Sequence, residues 1–227
     1  MIDINLHRRI LLGILKDVYQ NRALGAQLGF KGGTCLYFFH DLNRFSVDLD
    51  FNLLPGVKHF EAENVENILL KYTSIKDSWS KEHTWLWMGS YKKTHHNVKI
   101  EISKRDYSDE YELKDLYGLP VLCMKPEFLF AHKLCAISDR SIMANRDLFD
   151  AHFMFSKNFD IAHSIIRERT GMETGDYFKK LIGYISQNLN RRGILDGLAE
   201  LLDAGQKSWV KEKLVSDLLF YLKSWSA

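Results

Sequence analysis

The sequence has only three cysteines, no long apolar run and almost no net charge, and each of these absences excludes a class of protein. Cys35, Cys123 and Cys135 lie among apolar residues without a C-x-x-C pair or a Cys/His cluster, so we expect reduced core thiols and no structural zinc. No run of about 18 apolar residues is present, so no transmembrane helix is predicted. The net charge of +2 is too small to indicate a general polyanion binder. The first residues lack the charged-then-apolar order of a secretory signal, and the predicted location is the cytoplasm.

The remaining composition, 46% hydrophobic over 227 residues, is sufficient for a folded core without disulfides. Apolar spacing predicts an α+β fold, a mixed α/β core followed by a C-terminal helical bundle, which we divide into domains 1–116 and 117–227. In the first domain the pattern predicts helices over 5–24, 34–42 and 60–76, strands over 26–30 and 46–53, and a hairpin from 84–91 and 97–103. Beyond residue 116 it predicts helices over 126–140, 146–155, 178–188, 194–202 and 209–225.

Two aspartates, Asp48 and Asp50, lie two residues apart in an apolar run. Successive strand side chains point to opposite faces, so both carboxylates share one face while Val47, Leu49 and Phe51 take the other. Carboxylates held together repel each other, and a divalent cation between them keeps both ionised. A surface strand is the alternative, but aspartate is depleted in strands, so two of them favour a metal site.

The segment Lys31-Gly32-Gly33-Thr34 precedes these aspartates and leads into a predicted helix. Glycine lets the backbone approach a phosphate closely, and a helix N-terminus favours negative charge. A phosphate-binding turn followed by paired carboxylates indicates nucleotide chemistry.

A third acid, Glu101, lies in the alternating segment Val98-Lys99-Ile100-Glu101-Ile102, with Lys99 on the same predicted face. Phosphoryl transfer with two metal ions roughly 3.5–4 Å apart usually draws a further carboxylate from a neighbouring strand. Glu101 is the candidate, although a half-exposed strand would show the same alternation, so a solvated surface acid is the alternative.

Together these motifs resemble the polymerase-β nucleotidyltransferase superfamily, in which a Gly-Gly turn precedes Asp-x-Asp and a distant strand acid. More narrowly, the Lys31–Thr34 turn, Arg44-x-Ser46-x-Asp48-Leu49-Asp50-Phe51 and Arg146-Asp147-Leu148-Phe149-Asp150 resemble the AbiEii/AbiGii toxin family. Its members are nucleotidyltransferase-like toxins of bacterial toxin–antitoxin and abortive-infection systems. The resemblance extends from about residue 25 to about residue 155 and implies a polymerase-β-like core with a mixed sheet.

The resemblance also implies a role for each motif. Metal would be bound by Asp48, Asp50 and Glu101, with two Mg²⁺ ions expected and Mn²⁺ an alternative. The nucleotide would be bound by Lys31, Gly32, Gly33, Thr34, Lys133 and Arg146. The catalytic set would comprise Asp48, Asp50, Glu101, Lys133, Asp147 and Asp150.

The residues themselves leave alternatives for several of these roles. Lys133 could be a solvated helix lysine, and Arg146 with Asp150 a surface i,i+4 ion pair worth a few tenths of a kcal/mol. Arg44 and Ser46 would either orient the aspartate strand or be turn residues. A basic turn, Lys92, Lys93, His95 and His96, could touch RNA phosphates, although a solvated turn explains it more simply.

The resulting hypothesis is an Mg²⁺-dependent nucleotidyltransferase that transfers an NMP from an NTP to an acceptor hydroxyl. The resemblance favours an RNA acceptor such as a tRNA 3′ end, a toxic outcome and a cognate antitoxin, with no membrane partner. Three alternatives stay open: transfer to a small molecule, a non-catalytic module that binds nucleotide or RNA on the same scaffold, and a kinase-like phosphotransfer to protein or nucleotide.

Overall fold

In the computed structural model, which describes residues 2–91 and 97–225, the chain divides into two units. The first contains Met1–Asp41, Phe45–Asp106 and Glu110–Met124. The second contains Leu42–Arg44, Tyr107–Asp109 and Lys125–Ala227. Two short segments therefore belong to the second unit, Leu42–Arg44 just before the aspartate strand and Tyr107–Asp109.

The first unit is a mixed sheet with helices. Its helices are α1 (Ile4–Gln20), α2 (Arg22–Gly25), α3 (Gly32–Phe39) and α4 (Ala62–Leu70). Its strands are β1 (Leu28–Lys31), β2 (Asp48–Leu53), β3 (Ser74–Lys81), β4 (Thr84–Ser90), β5 (Asn97–Ser103), β6 (Tyr111–Leu116) and β7 (Leu119–Met124). The strands form one seven-stranded sheet in the order β3-β4-β5-β2-β1-β7-β6.

The two strands that carry the predicted acids are neighbours in the middle of this sheet. Strand β2 pairs in parallel with β5 on one side and antiparallel with β1 on the other. The alternation read from the sequence has the expected effect, since Leu49, Phe51, Ile100 and Ile102 are fully buried. Burying this face fixes the register, because a slip of one residue would turn the apolar side chains away from the core.

The second unit is helical. It contains α5 (Pro126–Asp139), α6 (Asn145–Ser156), α7 (His163–Thr170), α8 (Thr174–Asn188), α9 (Ala204–Glu212) and α10 (Leu214–Trp225), with a 3₁₀ turn at Ala199–Leu201. Pro126 occupies the first turn of α5, where its missing N–H has no cost. In the core of the unit, Phe155 packs edge-on against Phe130 and stacks on Tyr221. The α+β prediction, a mixed sheet followed by helices, is confirmed.

The hairpin formed by β6 and β7 was not predicted, because helices were expected beyond residue 116. Its two-residue turn has positive φ at both Tyr117 and Gly118, as in a type I′ hairpin. The usual sequence signal for that turn is Asn-Gly, so tyrosine in the first position concealed it. Since β7 pairs with β1, the first unit continues to Met124.

Two predicted helices also end differently. The helix predicted over 60–76 stops at Leu70, and the edge strand β3 follows, with all of its residues at least partly exposed. An edge strand without a buried face shows no clear alternation. The helix predicted over 194–202 is a turn region, in which Gly197 has a φ of +72°. Among the described residues, no helix is both long and apolar enough to cross a membrane.

Candidate active site

The three predicted metal ligands project from one face of the paired strands β2 and β5. In the parallel register Asp48 lies opposite Lys99, and Asp50 lies opposite Glu101. Because facing residues and residues two apart share a face, all four side chains point to the same side of the sheet. We call Asp48, Asp50, Lys99 and Glu101 the sheet cluster. Glu101 is therefore beside the aspartates rather than turned away from them.

A lysine ammonium lies among these acids. Lys99 Nζ is 3.2 Å from Glu101 Oε2 and 3.6 Å from Asp48 Oδ2. Burial lowers the pKa of Lys99, but the surrounding carboxylates outweigh this effect and the net pKa is raised. Burial raises the pKa of Asp50, the neighbouring Lys99 opposes the shift, and Asp48 and Glu101 reinforce it. The acids thus interact with each other, and the cluster has more negative than positive charge.

As they stand, no three His, Cys, Asp or Glu side chains in the described part of the chain are grouped closely enough to hold a metal ion. The donor set of the sheet cluster nevertheless suits Mg²⁺, because carboxylate oxygens are its preferred protein ligands. The arrangement also has the rigidity such a site needs, because both strands lie inside the sheet.

The glycine turn lies against the acids of the sheet cluster. Gly32 has a φ of +79°, a conformation that favours glycine, and a Cβ at this position would collide with the Asp50 carboxylate. Lys31 pairs with Asp50 across β1 and β2, so their side chains share a face. Helix α3 starts at Gly32 and no side chain caps its N-terminus, which leaves its first N–H groups available to an anion.

The hydroxyl of Thr34 contacts Ser46 and the start of β2. Thr34 is fully buried, its hydroxyl donates to the backbone carbonyl of Asp48, and it lies 2.9 Å from the hydroxyl of Ser46. Thr34 and Ser46 therefore connect α3 to the start of β2. This contact agrees with a role of Ser46 in orienting the aspartate strand. A phosphate role for Thr34 stays a prediction that concerns its backbone.

A residue that the sequence did not single out contacts the segment just before β2. His7 of α1 is fully buried, and its Nε2 donates to the carbonyl of Val47 at 2.9 Å. Its Nδ1 is 2.7 Å from the Tyr91 hydroxyl, which then donates to it. A lone histidine in an amphipathic helix carries no sequence signal for this contact.

The other predicted residues meet in the second unit around a buried ion pair. Arg44 Nε lies 2.6 Å from Asp150 Oδ1, and Arg44 Nη2 lies 2.7 Å from Asp150 Oδ2. Lys133 Nζ of α5 lies 2.8 Å from Asp150 Oδ2 and 3.4 Å from Asp147 Oδ1. Arg140 Nε lies 3.0 Å from Asp147 Oδ2. We call these five residues the helical cluster.

Charge balance explains how two acids can be buried there. Burial raises the pKa of Asp150, but Arg44 and Lys133 outweigh this effect and lower it to about 2. Asp150 is ionised and buried against Arg44 and Lys133, so the surface-pair alternative with Arg146 is wrong. Arg44 contacts Asp150, and its role in orienting the aspartate strand stays a prediction. Lys133 is held by two carboxylates with its side chain only 14% exposed, which excludes the solvated-lysine alternative.

Arg146 lies on a different surface of α6. It is partly exposed and lines a pocket of about 330 Å³ together with Asn188, Asn190 and Asp196. Its predicted contact with a nucleotide stays a prediction. The predicted RNA-facing residues Lys92, Lys93, His95 and His96 lie outside the described residues.

Sequence reasoning assigned no role to Lys99 or Arg140. The position of Lys99, two residues before Glu101 in a strand, was a sufficient signal for a shared face. Arg140 follows α5 and pairs with Asp147 seven residues later, a spacing with no pattern of its own.

Comparison with known proteins identifies the family and the fold. The family model for the nucleotidyl transferase AbiEii toxin of type IV toxin–antitoxin systems matches residues 13–207. A comparison with curated proteins finds no match. JHP933 from Helicobacter pylori is 22% identical, with a TM-score of 0.56 over 100% of this chain and 96% of its own. A candidate nucleotidyltransferase from H. pylori is also 22% identical, with a TM-score of 0.55 over 97% of this chain and 96% of its own.

At this identity the two solved structures show the fold, whereas the family model covers most of the chain. A toxin–antitoxin family implies a cognate antitoxin as partner. The resemblance predicted from the glycine turn, the paired aspartates and the later Arg-Asp-x-x-Asp segment is confirmed. The chain belongs to the AbiEii family of nucleotidyl transferase toxins.

Proposed function

We propose that this nucleotidyltransferase transfers an NMP from an NTP to a hydroxyl of RNA, with the 3′ end of a tRNA as the expected acceptor, and depends on a divalent metal ion. The observation that carries the proposal is the common face of Asp48, Asp50 and Glu101 beside the Gly32 turn. These three carboxylates would hold Mg²⁺ or Mn²⁺, which when bound supplies charge neutralisation at the phosphates.

The turn supplies the other half of a nucleotide site in the first unit. The uncapped N-terminus of α3 offers backbone N–H groups to phosphate oxygens, and the helix dipole adds partial positive charge. The absence of a side chain at Gly32 keeps the backbone beside Asp50 accessible. Lys31, on the same face as Asp50, adds a full positive charge.

The chemistry requires little covalent participation by the protein. The acceptor oxygen forms a bond to the α-phosphorus, the bond from that phosphorus to the bridging oxygen breaks, and pyrophosphate leaves. The hydroxyl proton goes to a base, for which the sheet cluster offers carboxylates. Positioning and charge neutralisation account for catalysis of this type.

Lys133 is the lysine that would bind a phosphate of the NTP. Its ammonium is held at 2.8 Å from Asp150 and 3.4 Å from Asp147, so these acids would act as positioning residues for Lys133. A compact ammonium is suited to a phosphate group.

The test is incubation of the purified protein with each α-³²P-labelled NTP and total RNA, with Mg²⁺ present or chelated. We expect label in an RNA band with Mg²⁺, none with chelator and none with Asp48→Asn. The matched control is Asp77→Asn, because Asp77 is an exposed aspartate on β3 of the same sheet and should leave transfer unchanged.

Full transfer by Asp48→Asn would contradict the proposed site. Transfer to a small hydroxyl compound, with none to RNA, would keep the site and replace the acceptor. Nucleotide binding without transfer to either acceptor would support a non-catalytic module instead.

A further inference from the structure

The basic side chain of Lys99 lies among the predicted metal ligands, although the proposed transfer reaction assigns it no role. Its Nζ contacts Glu101 Oε2 at 3.2 Å and Asp48 Oδ2 at 3.6 Å, and its side chain is 24% exposed. Lys99 comes from β5 directly opposite Asp48, so the contact is set by the register of the sheet and not by a mobile loop.

The cluster requires a cation. Three carboxylates on one face of two adjacent strands repel each other, and burial of Asp50 increases that cost. The Lys99 ammonium offsets this repulsion by donating a hydrogen bond to Glu101 and forming an ion pair with Asp48. These are the oxygens that a divalent ion would need as ligands.

An ammonium and a divalent ion cannot share these oxygens. Both would lie within about 4 Å of the same carboxylates, and two cations at that separation repel strongly in a partly buried site. The Lys99 stem has four rotatable carbons, so its head can leave while its backbone stays paired in the sheet.

We infer that Lys99 is a built-in counter-ion of the sheet cluster, which holds the cation position in the metal-free protein and is displaced when a divalent ion binds. This inference rests on the proposed metal role of the same acids. Lys99 is thus a positioning residue that weakens metal binding while stabilising the acids in the absence of metal.

The test is the binding of Mn²⁺ to the full chain, measured from the loss of the free Mn²⁺ signal in electron paramagnetic resonance. Lys99→Met keeps the length of the stem and removes the charge, and we expect it to bind Mn²⁺ on the order of tenfold more tightly than the unaltered protein. Lys99→Arg keeps the charge and should bind as weakly as the unaltered protein.

The matched control is Lys114→Met. Lys114 is also a strand lysine paired with a glutamate two residues away, Glu112 at 2.9 Å, but it lies in β6 and outside the cluster. It should leave Mn²⁺ affinity unchanged. Thermal unfolding without metal should show Lys99→Met to be less stable, with a larger gain on adding Mn²⁺ than the unaltered protein shows.

Equal or weaker Mn²⁺ affinity in a folded Lys99→Met would overturn the inference while leaving the metal site intact. A different outcome concerns the proposed function itself: if neither the unaltered protein nor Lys99→Met binds Mn²⁺, the metal site fails. If Lys99→Met does not fold, Lys99→Arg is compared with the unaltered protein. Equal Mn²⁺ affinities support the role of the charge, and tenfold tighter binding by Lys99→Arg refutes it.

Discussion

Replacing Asp150 by asparagine tests whether the helical cluster holds the second unit together. The change keeps the shape of the side chain but removes the charge that faces Arg44 at 2.6 and 2.7 Å and Lys133 at 2.8 Å. The side chains of Arg44 and Asp150 are only 3% and 0% exposed, so water cannot compensate the arginine that remains.

The size of the effect follows from this burial. Removing one partner of a buried ion pair costs about 3–5 kcal/mol, because the other charge is left without a counter-ion. The lowered pKa of Asp150 gives a smaller value for the same cost, because a fall from 3.8 to about 2 corresponds to roughly 2 kcal/mol in favour of the ionised carboxylate. The mutational cost should be larger, because a neutral amide in place of the carboxylate would also leave Arg44 and Lys133 close to each other without their shared anion.

Hydrogen exchange measured by mass spectrometry is the appropriate assay, because it reports on α5 and α6 separately from the sheet. A loss of 3–5 kcal/mol raises the exchange rate of amides that open with the unit by roughly 150- to 5,000-fold, at one decade per 1.36 kcal/mol. The control is Asp176→Asn on α8, whose pair with Lys179 is 64% exposed on both sides and should cost less than about 1 kcal/mol. If Asp150→Asn costs no more than this control, the ion pair does not stabilise the unit and the reasoning fails.

Two further predictions concern the titration of Asp150 and the packing of the glycine turn. The pKa of Asp150 is depressed in the folded protein, so its contribution to stability is present above the unfolded pKa near 4 and is lost as the pH falls toward 2. The difference in unfolding free energy between the unaltered protein and Asp150→Asn, measured by urea unfolding, should therefore shrink as the pH falls from about 4 toward 2. A difference that stays constant over this range would contradict the prediction. Gly32→Ala should cost at least about 1 kcal/mol more than Gly56→Ala in the same measurement, because both positions have positive φ but only a Cβ at residue 32 meets Asp50; equal costs would show that the turn does not pack against the acid.

The middle of the sheet could be predicted from the sequence because its signal is local. In β2 and β5 each apolar side chain alternates with a polar one, so the face of every residue follows from its position alone. Adjacency of the two strands was the only non-local assumption, and the register Asp50↔Glu101 confirms it. The edges of the sheet were harder to predict from the sequence, since β3 and β6 have weakly buried faces and the Tyr117-Gly118 turn lacks the usual residues.

The contacts of the helical cluster could not be predicted from the sequence. Arg44 and Asp150 are 106 residues apart, and nothing near either residue identifies its partner. The Arg-Asp-x-x-Asp segment marks the acids as important, yet the same segment would serve a metal site, a nucleotide site or an ion-pair network. Only the contacts separate these roles, and they assign Asp147 and Asp150 to Lys133, Arg44 and Arg140.

The two clusters differ in the sign of the charge that they leave uncompensated. The helical cluster has three cations, Arg44, Lys133 and Arg140, for two carboxylates, so one positive charge is in excess. The sheet cluster with Lys31 has two lysines for three carboxylates, so one negative charge is in excess. A surplus of negative charge favours a cation, and a surplus of positive charge favours an anion such as phosphate. Acids whose charge is fully matched by arginine and lysine have little left to offer a metal ion, so metal dependence should follow substitutions in the sheet cluster, while substitutions of Asp147 and Asp150 should act through the position of Lys133.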